Sequence, residues 1–79
     1  MAKLELYGTA SCPYTRELRE SLEWSRHDFL EYDIEADWEA RKRLHSFDSS
    51  LCTVPVLVKD GKVVQVGWQG HGCVVGLGS

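Results

Sequence analysis

The sequence predicts an α/β domain: a four-stranded mixed sheet flanked by two helices. Three observations carry that prediction. Two short runs of strand character, at residues 3–7 and 29–34, bracket a stretch with helical spacing. A strand–helix–strand crossover implies a parallel pair joined by a right-handed connection. Two later apolar runs, 56–59 and 62–66, flank Asp60-Gly61, a strong two-residue hairpin signal that adds an antiparallel pair.

Taken in order, Lys3-Leu4-Glu5-Leu6-Tyr7 alternates polar and apolar residues as a strand does. Residues 8–11 are small and turn-prone. From Tyr14 to about Arg26, Leu18 and Leu22 lie four apart among Arg16, Glu17, Arg19, Glu20 and Glu23, which is the pattern of an amphipathic helix. Pro13 suits its first turn, where the missing N–H costs nothing. Cys12 then falls at or just before the helix N-terminus. Unpaired backbone N–H groups and the positive end of the helix dipole favour a thiolate there, and the thiolate is the nucleophile. The alternative is that Cys12 is a small buried hydrophobe. After a polar break at 25–28, which lacks the glycine that often closes a helix, residues 29–34 form the second strand. A second helix starts between Glu35 and Asp37 and runs to about Ser46 or Phe47, with Asp37 as cap, Glu39 in its first turn and Arg41, Lys42 and Arg43 later. Residues 48–50 are loop. From Gly67 onward, five glycines crowd a short stretch, so no third helix is promised.

Composition narrows the function classes. Seventy-nine residues make one domain, near the lower limit for an unstapled core. Three cysteines are too few for a disulfide scaffold, and no Cys-x-x-Cys pair points to structural zinc. No apolar run approaches ~18 residues, so no membrane span or membrane partner is expected. A net charge of −3 without a basic stripe argues against nucleic acid. A reducing, cytoplasmic setting is expected, where such cysteines serve redox chemistry more than permanent cross-linking.

Cys12-Pro13-Tyr14-Thr15 resembles the glutaredoxin motif Cys-Pro-Tyr-Cys, with Thr15 in place of the second cysteine. Thr53-Val54-Pro55, followed by Val56-Leu57-Val58, resembles the Thr-Val-Pro segment of the same family. The resemblance covers residues 3–67 and fails in the Gly-rich tail, 68–79. It implies a single glutaredoxin-like domain with the thioredoxin fold; glutaredoxins usually add a C-terminal helix, which the glycine-rich tail here leaves shortened or missing. It also implies a thiol–disulfide oxidoreductase with Cys12 as nucleophile, acting on protein or small-molecule disulfides as a monomer. No tightly bound cofactor or metal is implied, and glutathione is the expected co-substrate. The Cys-Pro-Tyr-Thr pattern with Gly-Trp-Gln-Gly resembles small bacterial members that can carry selenocysteine at the first motif position. Cys12 is then either a natural counterpart of that residue or a stand-in for it.

The resemblance also distributes the remaining roles. Pro13, Tyr14, Thr53, Val54, Pro55, Gly67 and Trp68 would form the substrate-binding surface. A proline after Val54 reads by itself as an ordinary trans residue opening a strand. The family implies a cis bond, with the Val54 backbone beside Cys12 to pair with an extended thiol substrate. Thr15 is either a tolerated first-turn residue or a hydroxyl donor to the Cys12 sulfur. Trp68 is either cover for the core or an exposed platform.

The usual glutathione anchors are missing. Thr9 stands where the family has a lysine, Leu51 where it has a basic or amide residue, and Gly67-Trp68-Gln69-Gly70-His71 replaces the acidic segment after the last strand. Each lost charge-assisted contact is worth ~1.5–3 kcal/mol, so glutathione is expected to bind weakly unless Arg41, Arg43 or Gln69 compensates. With Thr15 lacking a thiol, either a monothiol, glutathione-linked cycle operates or another cysteine resolves Cys12. Cys52 reads as packing. Cys73, in a glycine-rich and mobile segment, is the candidate, and a Cys12–Cys73 disulfide is expected on mild oxidation. His71 beside it either raises its thiolate content or is a solvated surface residue; His27 and His45 read as surface residues. The competing class is an iron–sulfur carrier or a non-catalytic thioredoxin-fold binding protein. A proline at position 13 and the eroded anchors count against the carrier.

Overall fold

The structure, a computed structural model, describes residues 3–47 and 53–74. Strand β1 (Leu4–Gly8) leads into helix α1 (Pro13–Trp24), strand β2 (Phe29–Asp33) and helix α2 (Trp38–Phe47). The chain resumes with β3 (Thr53–Val54), β4 (Val56–Lys59), β5 (Lys62–Val66) and β6 (Cys73–Val74). The main sheet has the order β2-β1-β4-β5, with β1 and β2 parallel and the other pairs antiparallel. This is the predicted four-stranded mixed sheet with two helices. The pair β3–β6 forms a second, two-stranded sheet.

Local chemistry sets the element ends. Asp37 accepts a hydrogen bond at Oδ1 from the Ala40 N–H at 3.1 Å, capping α2 as expected. Its helix begins at Trp38, after a turn in which Asp33 Oδ1 accepts from the Glu35 N–H. Helix α1 closes without glycine because Arg26 adopts the left-handed conformation, with φ of 59°. The His27 N–H bonds back to the Leu22 carbonyl and the Arg26 N–H to that of Glu23, the paired closure that glycine usually makes. At the β4–β5 hairpin, Asp60 and Gly61 both have positive φ, 52° and 80°, as the mirror-image turn requires.

The central strand sorts the core. Tyr7 faces α2 and packs with Ile34, Ala40, Leu44, Val54, Val56 and Val58. Leu6 faces α1 and packs with Leu18 and Leu22, covered in part by Phe29, Leu57 and Trp68. The α1 side is the thinner of the two. Trp68 is half-buried there, so it serves as cover. Glu5, two residues before Tyr7 and on the same face of the strand, is 4 % exposed, because α2 covers that face.

Tyr7 is fully buried, and its hydroxyl accepts a 2.8 Å hydrogen bond from Arg43 Nε. The same guanidinium lies 4.7 Å from the Tyr32 ring centroid. Burial pushes the Tyr7 ionisation above its ordinary value of 10.0, against the lowering effect of Arg43. The unfolded chain therefore loses this proton first. Stability from Tyr7 is fully present below the ordinary value and is lost as pH rises from there through the raised folded value. Urea denaturation between pH 8 and 11 is expected to show a steeper alkaline loss for the native protein than for Tyr7→Phe. Equal slopes would remove Tyr7 as the cause.

Gly8 ends β1 directly against α1. A Cβ there would collide with the Thr15 methyl and hydroxyl and lie 2.9 Å from the Thr15 Cβ. Gly8→Ala is expected to cost roughly 1–3 kcal/mol by overpacking, and Thr15→Ala to restore only part of it, since the Cβ contact stays. Denaturant midpoints of the two single variants and the double variant check both statements.

Candidate active site

Cys12 occupies the N-cap of α1 with extended backbone (φ −86°, ψ 117°), and Pro13 starts the helix as predicted. The Cys12 side chain makes no capping hydrogen bond, and no carboxylate lies in the first turn. The sulfur thus meets the helix N-terminus without an opposing charge from that turn. Its backbone is held by the Cys12 N–H donating to the Thr9 carbonyl at 3.2 Å and the Arg16 N–H donating to the Cys12 carbonyl at 3.3 Å.

Facing it, β3 brings Val54 and Pro55, joined by the cis peptide bond that the resemblance implied. Both residues are buried. The Cys12 Sγ lies 3.9 Å from the Val54 carbonyl oxygen. That contact becomes a hydrogen bond only when the sulfur carries a proton.

The tail supplies the third wall. The Gly67 N–H donates to the Pro55 carbonyl at 2.6 Å, and Trp68 and His71 exchange backbone hydrogen bonds at 2.7 and 2.9 Å. Between them Gln69 and Gly70 have φ of 52° and 80°, a mirror-image turn like that at Asp60-Gly61. The chain then returns as β6, antiparallel to β3, with Cys73 opposite Val54 and Val74 opposite Thr53. Two glycines permit this return. A Cβ at Gly67 would lie 2.7 Å from the His71 carbonyl oxygen, and one at Gly72 would lie 2.8 Å from that of Val54. On the helix side, the His71 ring stacks on Tyr14 with centroids 5.3 Å apart.

In this position Cys73 is bonded to Cys12 as a disulfide, with a Cα–Cα distance of 6.0 Å, inside the usual range. The expectation of a mobile segment at Cys73 is corrected: through Val74 the tail is a tight turn followed by a paired strand. The missing third helix falls partly outside the described residues; within them, no helix follows α2. Cys52 and Leu51 also lie outside the described residues.

Two alternatives that the sequence left open are narrowed. The Thr15 hydroxyl is buried and has no hydrogen-bond partner, so it does not donate to the Cys12 sulfur in this state; the Thr15 side chain instead packs against Gly8. Arg43 is committed to Tyr7 and Tyr32, and so is poorly placed to replace a glutathione anchor. Thr9 is buried. Sequence reasoning missed the β3–β6 pairing and the Tyr14–His71 stack. The only signal for the first was Gln69-Gly70, a weaker turn dipeptide than Asn-Gly or Asp-Gly.

Among the described residues, no three His, Cys, Asp or Glu side chains are placed to hold a metal ion, and no helix is long and apolar enough to cross a membrane. A cysteine at a helix N-terminus opposite a cis-proline strand, on this sheet order, defines a thioredoxin-fold protein of the thiol–disulfide class. The glutaredoxin family model matches residues 4–64. The fold is similar to the glutaredoxin grx-1 of Archaeoglobus fulgidus, 30 % identical with a TM-score of 0.71, covering 87 % of this chain and 78 % of that one. It is also similar to the thioredoxin-like protein BC3987, 33 % identical with a TM-score of 0.72, covering 84 % and 88 % of the two chains. In sequence it is 28 % identical over 61 residues to an uncharacterized glutaredoxin-like 8.6 kDa protein of the rubredoxin operon of Clostridium pasteurianum, covering 77 % of this chain and 80 % of that one. The chain belongs to the glutaredoxin family.

Proposed function

We propose that the protein is a two-cysteine thiol–disulfide oxidoreductase that cycles between a Cys12/Cys73 dithiol and the Cys12–Cys73 disulfide. The observation that carries this reading is the bond between these two cysteines beside Val54. In the reduced protein, the Cys12 thiolate attacks a substrate disulfide, forms a mixed disulfide and expels one substrate thiolate. The Cys73 thiolate then attacks the Cys12 sulfur, forms the intramolecular disulfide and expels the second. Two electrons and two protons pass from the protein to the substrate. Once β6 gives up its pairing in the reduced protein, Val54 and Thr53 offer backbone groups to an extended substrate, while Pro13, Tyr14, Gly67 and Trp68 shape the rim. The substrates are protein or small-molecule disulfides, and the working unit is a monomer.

Glutathione enters as a weakly held reductant without a dedicated carboxylate anchor, which fits the buried Thr9 and the engaged Arg43. An iron–sulfur carrier needs a free Cys12 thiolate, and pairing with Cys73 removes it, which supports the redox reading.

The test is to treat reduced protein with a single equivalent of hydrogen peroxide, digest it and map the linked peptides by mass. The expected product joins the Cys12 and Cys73 peptides. Cys12 recovered only as a sulfenic acid, trapped with dimedone, with Cys73 free throughout, would return the protein to a monothiol scheme.

A further inference from the structure

Resting on that reading, we propose that a reductant attacks the oxidised protein at the Cys73 sulfur, with Cys12 as the departing thiolate. This reverses the order in which the two cysteines meet the outside: Cys12 meets the substrate, and Cys73 meets the reductant.

Access is the first argument. Thiol–disulfide exchange needs the incoming sulfur to approach along the S–S axis, from the side opposite the leaving sulfur. Cys12 is 2 % exposed and belongs to the core cluster with Tyr7, Ala40, Val54 and Val56. Cys73 packs against the same cluster from its edge, but Cys12 is a fully enclosed member of it, so an incoming thiol meets that packing before it meets the Cys12 sulfur. Cys73 is half-buried, and its neighbour Val74 is 81 % exposed.

The docking slot is the second. An external cysteine-bearing strand aimed at Cys12 would pair with the backbone of Thr53 and Val54. That backbone already carries Val74 and Cys73 in register. The fit is close, since even a methyl group at Gly72 would meet the Val54 carbonyl oxygen and the Thr53 methyl. The tail therefore fills the place of a substrate, and no second strand enters until it leaves.

The leaving group is the third. Attack on Cys73 expels Cys12 thiolate at the N-terminus of α1, where the helix stabilises the charge. Attack on Cys12 would expel Cys73 thiolate, whose sulfur lies one bond farther from that helix end and whose own backbone belongs to β6. Exchange runs faster toward the better-stabilised leaving thiolate. All three arguments select the same sulfur. In the first step a thiolate RS⁻ bonds to Cys73, giving RS–S–Cys73 and Cys12–S⁻. In the second, another RS⁻ attacks the R-side sulfur, giving RSSR and Cys73–S⁻. The sum is two thiols oxidised to one disulfide and the protein disulfide reduced to two thiols.

The experiment uses the full oxidised chain and 2-mercaptoethanol as probe. After short mixing times the reaction is quenched with acid, which protonates the thiolates and stops exchange. Peptic digestion at acid pH then locates the adduct by mass. Extrapolated to zero time, the mercaptoethanol adduct is expected on Cys73 over Cys12 by at least about tenfold. An even split, or an excess on Cys12, overturns this inference alone. Starting protein without the Cys12–Cys73 cross-link overturns the proposed function and this inference with it.

Discussion

Cys12→Ser is expected to reduce catalysed exchange to the spontaneous background. Cys73→Ser, in contrast, is expected to slow product release by ~100-fold at ~10 µM external thiol, taking an intramolecular effective concentration of at least ~1 mM. The two serines act on different steps. Serine at position 12 removes the sulfur of the α1 N-cap residue, and a hydroxyl at neutral pH is a poor nucleophile without a base beside it. Serine at position 73 leaves the first attack intact, so a mixed disulfide forms on Cys12 and waits for a thiol from solution. Rapid-mixing kinetics with a disulfide peptide separate the cases. The native chain should release both peptide thiols in quick succession. Cys73→Ser should give a burst of a single equivalent, followed by a slow phase proportional to added thiol. A Cys73→Ser variant that releases both thiols at the native rate would eliminate the resolving role.

The main sheet was legible in the sequence because each element carried its own punctuation. Pro13 marked the start of α1, Asp37 capped α2 through Ala40, and Asp60-Gly61 turned the β4–β5 hairpin. The end of α1 was harder to place, because Arg26 takes a backbone conformation that sequence patterns assign to glycine or asparagine. The burial of Glu5 is not legible for a different reason. Alternation predicts a solvent-facing residue only when one face of a strand is bare, and β1 is covered by α1 on one side and α2 on the other. The tail was the least legible part. Its glycines read as freedom, yet at Gly67 and Gly72 the lack of a side chain lets backbone approach backbone. The pairing of β6 with β3 joins segments distant in sequence, and two-residue strands have no periodicity to recognise. For the site, Cys12 and Pro55 were placed through the family motifs. The bond from Cys12 to Cys73 was expected for chemical reasons, and the structure makes it through an ordered strand instead of a flexible arm.

Reducing the Cys12–Cys73 bond is expected to lower the melting temperature by roughly 15–30 °C. The bond closes a loop with a sequence separation of 61. In the chain-entropy description, a loop of that size withholds about 4 kcal/mol from the unfolded state. Among the described residues, the hydrophobic cluster on the α1 side has three buried members, and the ion pairs Lys3–Glu5, at 3.8 Å, and Arg19–Glu31, at 3.5 Å, each involve a side chain open to solvent. Exposed pairs of this kind contribute about 0–1 kcal/mol. For a domain of 79 residues, each kcal/mol moves the midpoint by about 4–8 °C, which gives the stated range. Reduction also frees β6 from its covalent hold, leaving the β3–β6 backbone pairing and the Tyr14–His71 stack to keep the tail in place. Calorimetry on oxidised protein, reduced protein and Cys73→Ser supplies the comparison. The last two should melt together and well below the first, with the reduced native chain returning to the higher midpoint on reoxidation. Coincident curves for oxidised and reduced protein would show that the two sulfurs are not joined in solution.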